Sequence, residues 1–378
     1  MSHTHNLSIS SFCSTLSINS DDFLEVFEND HYDNDELVSE AHGIVNKHRR
    51  SLIQAAPKGS KYHLDKLLDA MLDHAPTPLG ARYVAVALHV AATKDDNGSS
   101  VVGAAKAWLD QLVLPMLTIA TDNRSEPSSS QTPTLDETAQ VIESAGRKEQ
   151  REFRTSLAKR ERYYCAITQT FDRDRVDFLD AQQRSNEVPR VPAHKMVAAH
   201  IIPLFLNNFN DAGEHKTGVH LRDAAYTWDM LQSWTQIDLQ GLVGSKITSP
   251  QNGIYMTSDD HDNFGAFKFY LDKAAFPNDV NKYEARCLRN RLSNGESSSI
   301  VTFSDQEPPK PEYLQIHAAF AKVLHLSGAA AHLQDLQRDA ERMEMLHLDG
   351  LADFGQALTS KLAVLSGGAV YIKPQYAY

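Results

Sequence analysis

Two histidines and one asparagine stand where their side chains could carry out acid–base or metal chemistry. His200 ends the apolar run in "MVAAHIIPLF" (196–205), which predicts a short buried strand stopped by a proline. Asn252 precedes a second apolar run, and His261 follows nine residues later, behind the residues "SDD" that are typical of a helix start. An imidazole with a pKa of about 6.5 can take a proton from water at neutral pH and can also bind a metal ion.

The elements that must position these residues follow from their order along the chain. A strand ending in His200, a strand preceded by Asn252 and a helix bearing His261 predict a ββα arrangement. Four short runs in the middle of the chain have the composition of strands. They are "YYCAIT" (163–168), "HKMVAAH" (194–200), "GIYMT" (253–257) and "AFKFYL" (266–271).

Four motifs in this region, taken together and in order, resemble the HNH endonuclease family in its fungal-type branch. They are Cys165-Ala166-Ile167-Thr168, Ala198-Ala199-His200-Ile201-Ile202-Pro203, Asn252-Gly253-Ile254, and His261 with Phe264. The resemblance runs from roughly Tyr163 to Leu271 and does not extend to either flank. It implies a ββα-metal fold and a metal-dependent hydrolase that cleaves phosphodiester bonds of nucleic acid, with DNA favoured over RNA.

The resemblance also implies a role for each residue. His200 would be the general base, His261 would bind one divalent metal ion, and Asn252 would hold the loop between the strands or contribute to the metal site. A neighbouring aspartate would supply an oxygen ligand, with Asp260 as the candidate and Asp259 and Asp262 as alternatives. Mg²⁺ or Mn²⁺ is the expected ion, with Zn²⁺ as a further option.

Each residue also has a plainer interpretation. His200 could be a hydrogen-bonded histidine at a strand end, and Asn252-Gly253 could be turn chemistry alone. His261 could belong to a solvated helix start, where acidic neighbours are favoured by the helix dipole. All three plain interpretations would have to be true at once, and we therefore favour a catalytic site.

The chain departs from the family pattern in two ways. Many HNH nucleases carry a metal-binding aspartate directly before the first histidine, and Ala199 stands there instead. Between His200 and Asn252 lie 51 residues, far more than a minimal hairpin needs. This insertion contains a predicted amphipathic helix at 221–242, whose tryptophans we expect in the core.

The remaining sequence predicts an α+β protein that is mostly helical. Residues 1–120 show helical spacing of apolar side chains and form a predicted N-terminal helical unit. Residues 121–137 are rich in Ser, Pro and Thr and predict a linker. The HNH module is expected at 138–275, and a C-terminal, mostly helical unit at 276–378. The helical flanks are candidates for homo-oligomer contacts.

Charge is distributed unevenly in a chain of net charge −12. Residues 1–146 carry 10 basic and 20 acidic groups, whereas residues 147–300 carry 21 and 20. An acidic chain argues against indiscriminate nucleic-acid binding, but a local basic helix could still contact phosphates, or could simply be a solvated face. Its seven cations are Arg147, Lys148, Arg151, Arg154, Lys159, Arg160 and Arg162.

Three separated cysteines predict neither a disulfide framework nor a thiolate zinc site, which fits a reducing intracellular compartment. Nuclear or cytoplasmic location is left open. The most apolar window, Val101 to Ala120, is interrupted by Lys106 and Asp110, so we expect a core helix and no membrane span. The alternative to an active nuclease is a catalytically silent HNH-fold module that serves as a nucleic-acid- or protein-binding scaffold.

Overall fold

The computed structural model of the chain describes most of its residues, in two compact units. The described residues are 13, 18–29, 31–56, 60–116, 137–179, 188–203, 218–242, 244–288, 291–332 and 335. The first unit, here the helical unit, comprises Met1–Asp122, Asp229–Trp234 and Val323–Tyr378. The second, here the mixed unit, comprises Asn123–Trp228 and Thr235–Lys322. Overall the described residues are mostly helical with small sheets, as predicted.

The described N-terminal residues of the helical unit include five α-helices. Side chains of Asn19, Asp33 and Thr77 accept hydrogen bonds from the first turns of three of these helices, which fixes where they begin. A π-helical turn, Leu109–Val113, follows the fifth helix. The five are α1 (Ser20–Phe27), α2 (Asn34–Ala55), α3 (Leu64–Asp73), α4 (Pro78–Lys94) and α5 (Ser99–Trp108).

The mixed unit begins with a long helix and a short parallel strand pair. Helix α6 spans Glu137–Arg160 and is followed by β1 (Phe171–Asp172) and α7 (Arg173–Phe178). Strand β1 pairs in parallel with β2 (Ala193–His194). The predicted linker at 121–137 lies outside the described residues, apart from Glu137, which begins α6.

The candidate site is built on an antiparallel strand pair and the helix that follows it. Strand β3 (Met196–His200) pairs with β4 (Gly253–Thr257), with His200 opposite Gly253. Between them lie helix α8 (Gly218–Thr235) and three short 3-10 turns, the last of which is Pro250–Asn252. Helix α9 (Ser258–Gly265) follows β4 directly and packs against both strands.

A three-stranded antiparallel sheet continues the mixed unit. Strand β5 (Phe269–Asp272) pairs with β6 (Lys282–Cys287), and β6 pairs with β7 (Ser298–Thr302). The predicted boundary at residue 275 therefore falls between two paired strands. Helix α10 (Pro311–Ser327) follows, in agreement with the helical pattern of that segment, whereas most of the predicted helices beyond it lie outside the described residues.

Two predicted elements differ in the structure. Residues 163–168 form a turn with an isolated bridge from Tyr164 to Phe171, not a strand, because Tyr163 and Gln169 adopt left-handed backbone conformations. The helix predicted to reach residue 242 ends at Thr235, where Gln236 is left-handed. The two tryptophans of this helix were expected in the core, and Trp228 and Trp234 are indeed buried.

The three cysteines are free, and none of the helices that the structure describes is long and apolar enough to cross a membrane.

Candidate functional site

His200 ends β3 with a half-buried imidazole. Its ring stacks on that of Phe153 from α6, with centroids 4.4 Å apart and planes inclined by 22°. The Nε2 atom is buried and has no hydrogen-bond partner among the residues that the structure describes. Burial, and to a smaller extent the charge of His261, lower the pKa of His200 to about 4. The neutral imidazole is therefore the form present at pH 7.

Helix α6 lies against the point where His200 meets Gly253. A β-carbon added to Gly253 would lie 2.6 Å from Cε2 of Phe153 and 2.7 Å from Cδ1 of Leu157. The backbone of Gly253 is extended, so glycine is required here by the close approach of α6 and not by an unusual dihedral angle. The glycine of the Asn-Gly pair thus allows Phe153 to reach the imidazole.

Asn252 is completely buried and ties three chain segments together. Its amide nitrogen donates to the carbonyl oxygens of Ile202 and Ile247, each at 3.0 Å. Its carboxamide oxygen accepts from the backbone N–H of Ile202 at 2.9 Å, and its own carbonyl accepts from the N–H of Ile201. Asn252 therefore holds the chain immediately after His200 in place.

His261 lies in the first turn of α9, with a side chain 22% exposed. Its Nδ1 is 3.4 Å from a carboxylate oxygen of the neighbouring Asp262. His200 thus ends β3, and His261 is carried by α9, the helix that packs against β3 and β4.

Asp260 is engaged by hydrogen bonds within the protein. Its carboxylate is completely buried, and one oxygen accepts from the hydroxyls of Thr257 at 2.8 Å and Ser293 at 2.7 Å, with the thiol of Cys165 3.8 Å from the same oxygen. The other oxygen accepts from the backbone N–H of Ser293. This differs from the predicted ligand role, because the carboxylate already serves to join α9 to the segment around Ser293.

The donor set for a metal ion is small. Among the described residues, no three histidine, cysteine, aspartate or glutamate side chains are arranged to hold an ion. The partly exposed imidazole of His261 is a nitrogen donor of the right chemistry. It fits an ion that has few protein ligands and takes the remainder from water or substrate, not a closed protein cage.

The cations predicted to contact phosphate, on and just after helix α6, fall into two groups: some point into the protein and others are exposed. Arg160 is buried, and its guanidinium donates to the carbonyl oxygens of Pro250, Gly253 and Glu307 and to the carboxylate of Glu161. Four of its five N–H groups are engaged inside the protein and the side chain is buried, which is not the exposed position predicted for a phosphate contact. Lys148, Arg151, Lys159 and Arg162 are exposed.

Arg154 is partly exposed and is engaged within the protein, because it donates to Asp174 at 2.7 Å and lies near the carbonyl of Met196. The side chain of Arg147 lies outside the described residues. The predicted basic surface is consequently smaller than the sequence indicated.

Sequence reasoning missed Phe153 as part of the site and predicted a phosphate contact for Arg160. Both belong to a stripe with Leu157 at positions i, i+4 and i+7 of α6, which is the spacing of one helix face. All three side chains are buried. That spacing could have indicated a buried helix face, but the many cations in the segment favoured an exposed one.

His317 supports the helix that carries His261. Its imidazole lies between the rings of Phe264 and Phe267, with centroids 3.7 Å and 4.7 Å away. Its Nε2–H donates to the carbonyl oxygen of Phe264, one of the last carbonyls of α9. Burial lowers the pKa of His317 to about 3.

Comparison with known protein families matches residues 165–272 to the family model described as HNH endonuclease. The matched segment contains β3, β4, α9 and β5 and covers less than a third of the chain. Comparison with curated proteins gave no match, and comparison with solved structures gave none. The family indicates nuclease activity in general. Residues 165–272 are accordingly the part of the chain that is similar to the HNH endonuclease family.

Proposed function

We propose that this chain is a divalent-metal-dependent endonuclease that hydrolyses phosphodiester bonds of DNA, with a ββα-metal module formed by β3, β4 and α9. One observation carries the proposal: within the segment that matches the family, His200 ends β3 with a buried Nε2 that has no partner among the described residues, and His261 lies on α9, which packs against that strand. A buried polar atom without a partner is uncommon in folded proteins, and a catalytic role or a bound water or ion is a usual explanation.

His200 serves as the general base. Its neutral imidazole accepts a proton from a water molecule, and the resulting hydroxide oxygen forms a bond to the phosphorus atom. The phosphorus–oxygen bond to the leaving nucleotide then breaks, and the departing oxygen takes up a proton from solvent. The low pKa of His200 keeps the base unprotonated, and a bound phosphate anion would raise that pKa toward the working range.

His261 is the protein ligand that we assign to the metal ion. A bound divalent cation neutralises the charge that develops on the phosphate and on the leaving oxygen. The position of His261 in the first turn of α9 leaves its ring partly exposed, and its pairing with Asp262 through Nδ1 orients the imidazole.

Asn252 and Asp260 act in this proposal as positioning residues, not as ligands. Asn252 uses its amide hydrogens to hold the chain that follows His200. Asp260 uses both carboxylate oxygens to hold α9 through Thr257 and Ser293. Such supporting groups determine how accurately the reactive side chains are held.

Plasmid cleavage tests the proposal. The intact protein should nick supercoiled plasmid in Mg²⁺ or Mn²⁺ and should stop when a chelator is added. The variant His200→Ala should lose about 100-fold or more of the rate while retaining its circular dichroism spectrum. His194→Ala, an exposed strand histidine on the preceding strand, is the matched control and should cleave normally. Full cleavage by His200→Ala would remove the proposed base.

The second candidate is a catalytically silent HNH-fold module that binds nucleic acid or protein. Ala199 and the absence of a three-ligand cluster among the described residues favour it. A calorimetric titration with Mn²⁺ separates the two candidates. The nuclease should show saturable binding that His261→Ala loses, whereas the silent module should bind no more ion than that variant.

A further inference from the structure

We infer that Phe153 is a positioning residue for His200, holding the imidazole in the plane that proton transfer requires. This inference rests on the proposed function, because it assigns a supporting residue to the proposed base. Phe153 lies in α6, outside the segment that matches the HNH endonuclease family.

The contact between the two rings is close and nearly parallel. The centroids are 4.4 Å apart and the planes are inclined by 22°, so the phenyl ring covers one face of the imidazole. Phe153 is buried and therefore has little freedom to move away. A histidine at a strand end without such a contact could rotate about both side-chain torsions.

The other side of Phe153 is fixed by the strand pair. Its ring edge approaches the backbone of Gly253, the residue directly opposite His200, where a β-carbon would lie 2.6 Å from Cε2. Phe153 is thus held between the glycine on β4 and the imidazole on β3. A flat side chain fits this gap, whereas a branched or flexible one would not hold the ring plane.

A second side chain of the same helix is bonded to the backbone of the same strand. Arg160, further along α6, donates to the carbonyl oxygen of Gly253 at 2.8 Å. The position of Phe153 relative to His200 is therefore set by a helix bonded to the strand opposite the imidazole. Because small displacements of a reacting group have large effects on rate, loss of this contact should reduce turnover more than substrate binding.

The test compares Phe153→Met with Leu157→Ala. Methionine has a similar volume without a plane, and Leu157 is a buried neighbour that contacts the Gly253 position but presents no ring to His200. In plasmid cleavage, Phe153→Met should lower kcat about tenfold or more with KM within twofold of wild type. Leu157→Ala should keep kcat within about threefold, even if its melting temperature falls by more.

A nuclear magnetic resonance measurement reports on the ring contact without using activity. The Hε1 proton of His200, assigned by its disappearance in His200→Gln, should be shifted upfield by the phenyl ring current, and the shift should vanish in Phe153→Met. Absence of the shift in the wild type, or equal kcat losses in Phe153→Met and Leu157→Ala, would overturn the inference. Undiminished cleavage by His200→Ala would instead overturn the proposed function.

Discussion

Phe153 occupies the space beside Gly253 that a β-carbon would need, since Cε2 of its ring lies 2.6 Å from the position of such a carbon. The ring of Phe153 thus fills the space left by the missing side chain of Gly253, and the imidazole of His200 stacks on the same ring. Several measurable consequences arise from this packing and from the buried polar groups around it.

Substitution Gly253→Ala should destabilise the mixed unit by about 1–3 kcal/mol, because the added methyl group overpacks the contact with Phe153 and Leu157. The extended backbone of Gly253 tolerates alanine, so overpacking is the only expected cause. Urea unfolding followed by circular dichroism measures the effect. Gly241→Ala, where no atom lies within 4 Å of the added carbon, should change stability by less than about 0.5 kcal/mol. Equal effects at the two glycines would contradict the packing explanation.

Asn252→Ala should cost about 2 kcal/mol or more of stability, because it leaves buried backbone groups of Ile202 and Ile247 without partners. The variant should nevertheless bind Mn²⁺ with an affinity near that of the wild type at temperatures where it is folded. His261→Ala should show the reverse: near-normal stability and lost Mn²⁺ binding. Calorimetric titration beside thermal unfolding separates these outcomes. Loss of ion binding in folded Asn252→Ala would instead make the amide a ligand.

Arg160→Met should destabilise the mixed unit by about 3–5 kcal/mol, because the buried carboxylate of Glu161 would lose its cation and three carbonyl oxygens would lose a donor. Lys159→Met, at the adjacent exposed position, should leave stability nearly unchanged. If Lys159 contacts phosphate, its variant should also reduce the slope of log affinity against log salt by about one. Thermal unfolding and DNA binding at several salt concentrations provide the two readouts. Similar stability losses in both variants would contradict the division of α6 into inward and outward cations.

His317 should make the stability of the mixed unit depend on pH. Its pKa is lowered from 6.5 to about 3 in the folded protein, so between these values the unfolded chain binds a proton that the folded protein does not. The free energy of unfolding should therefore fall as pH drops below 6.5, by about 1.4 kcal/mol per pH unit from this residue. His317→Phe should flatten the slope by that amount between pH 6 and pH 4.5, measured as urea midpoints. An unchanged slope would mean that His317 is protonated in the folded state.

Much of the local structure could be predicted from the sequence. Apolar spacing of three and four residues located the helices of the helical unit, because an amphipathic helix must bury one face wherever it packs. The order of His200, Asn252 and His261 indicated two strands and a helix, and the register that pairs His200 with Gly253 agrees with that order. These features depend on neighbours close in sequence, which a pattern of residue types can express.

The sequence failed where a side chain's role depends on what packs against it from elsewhere in the chain. The sequence does not distinguish Asp260 from Asp262, since both are aspartates next to His261. In the structure Asp260 is the one that is buried and hydrogen-bonded to Ser293. Strands β6 and β7 were also missed, because their pairing with β5 stabilises short segments whose own composition is weakly strand-like.

The sequence by itself determined which residue types could perform hydrolysis and the local elements that carry them. Only the tertiary structure decided that Arg160 points inward, that Phe153 covers the imidazole of His200, and that Asn252 holds the following chain. The physical reason is that burial and hydrogen bonding are properties of the packed interior. There, residues far apart in the chain exclude water from one another. Their packing thereby determines which polar groups are left without a hydrogen-bond partner.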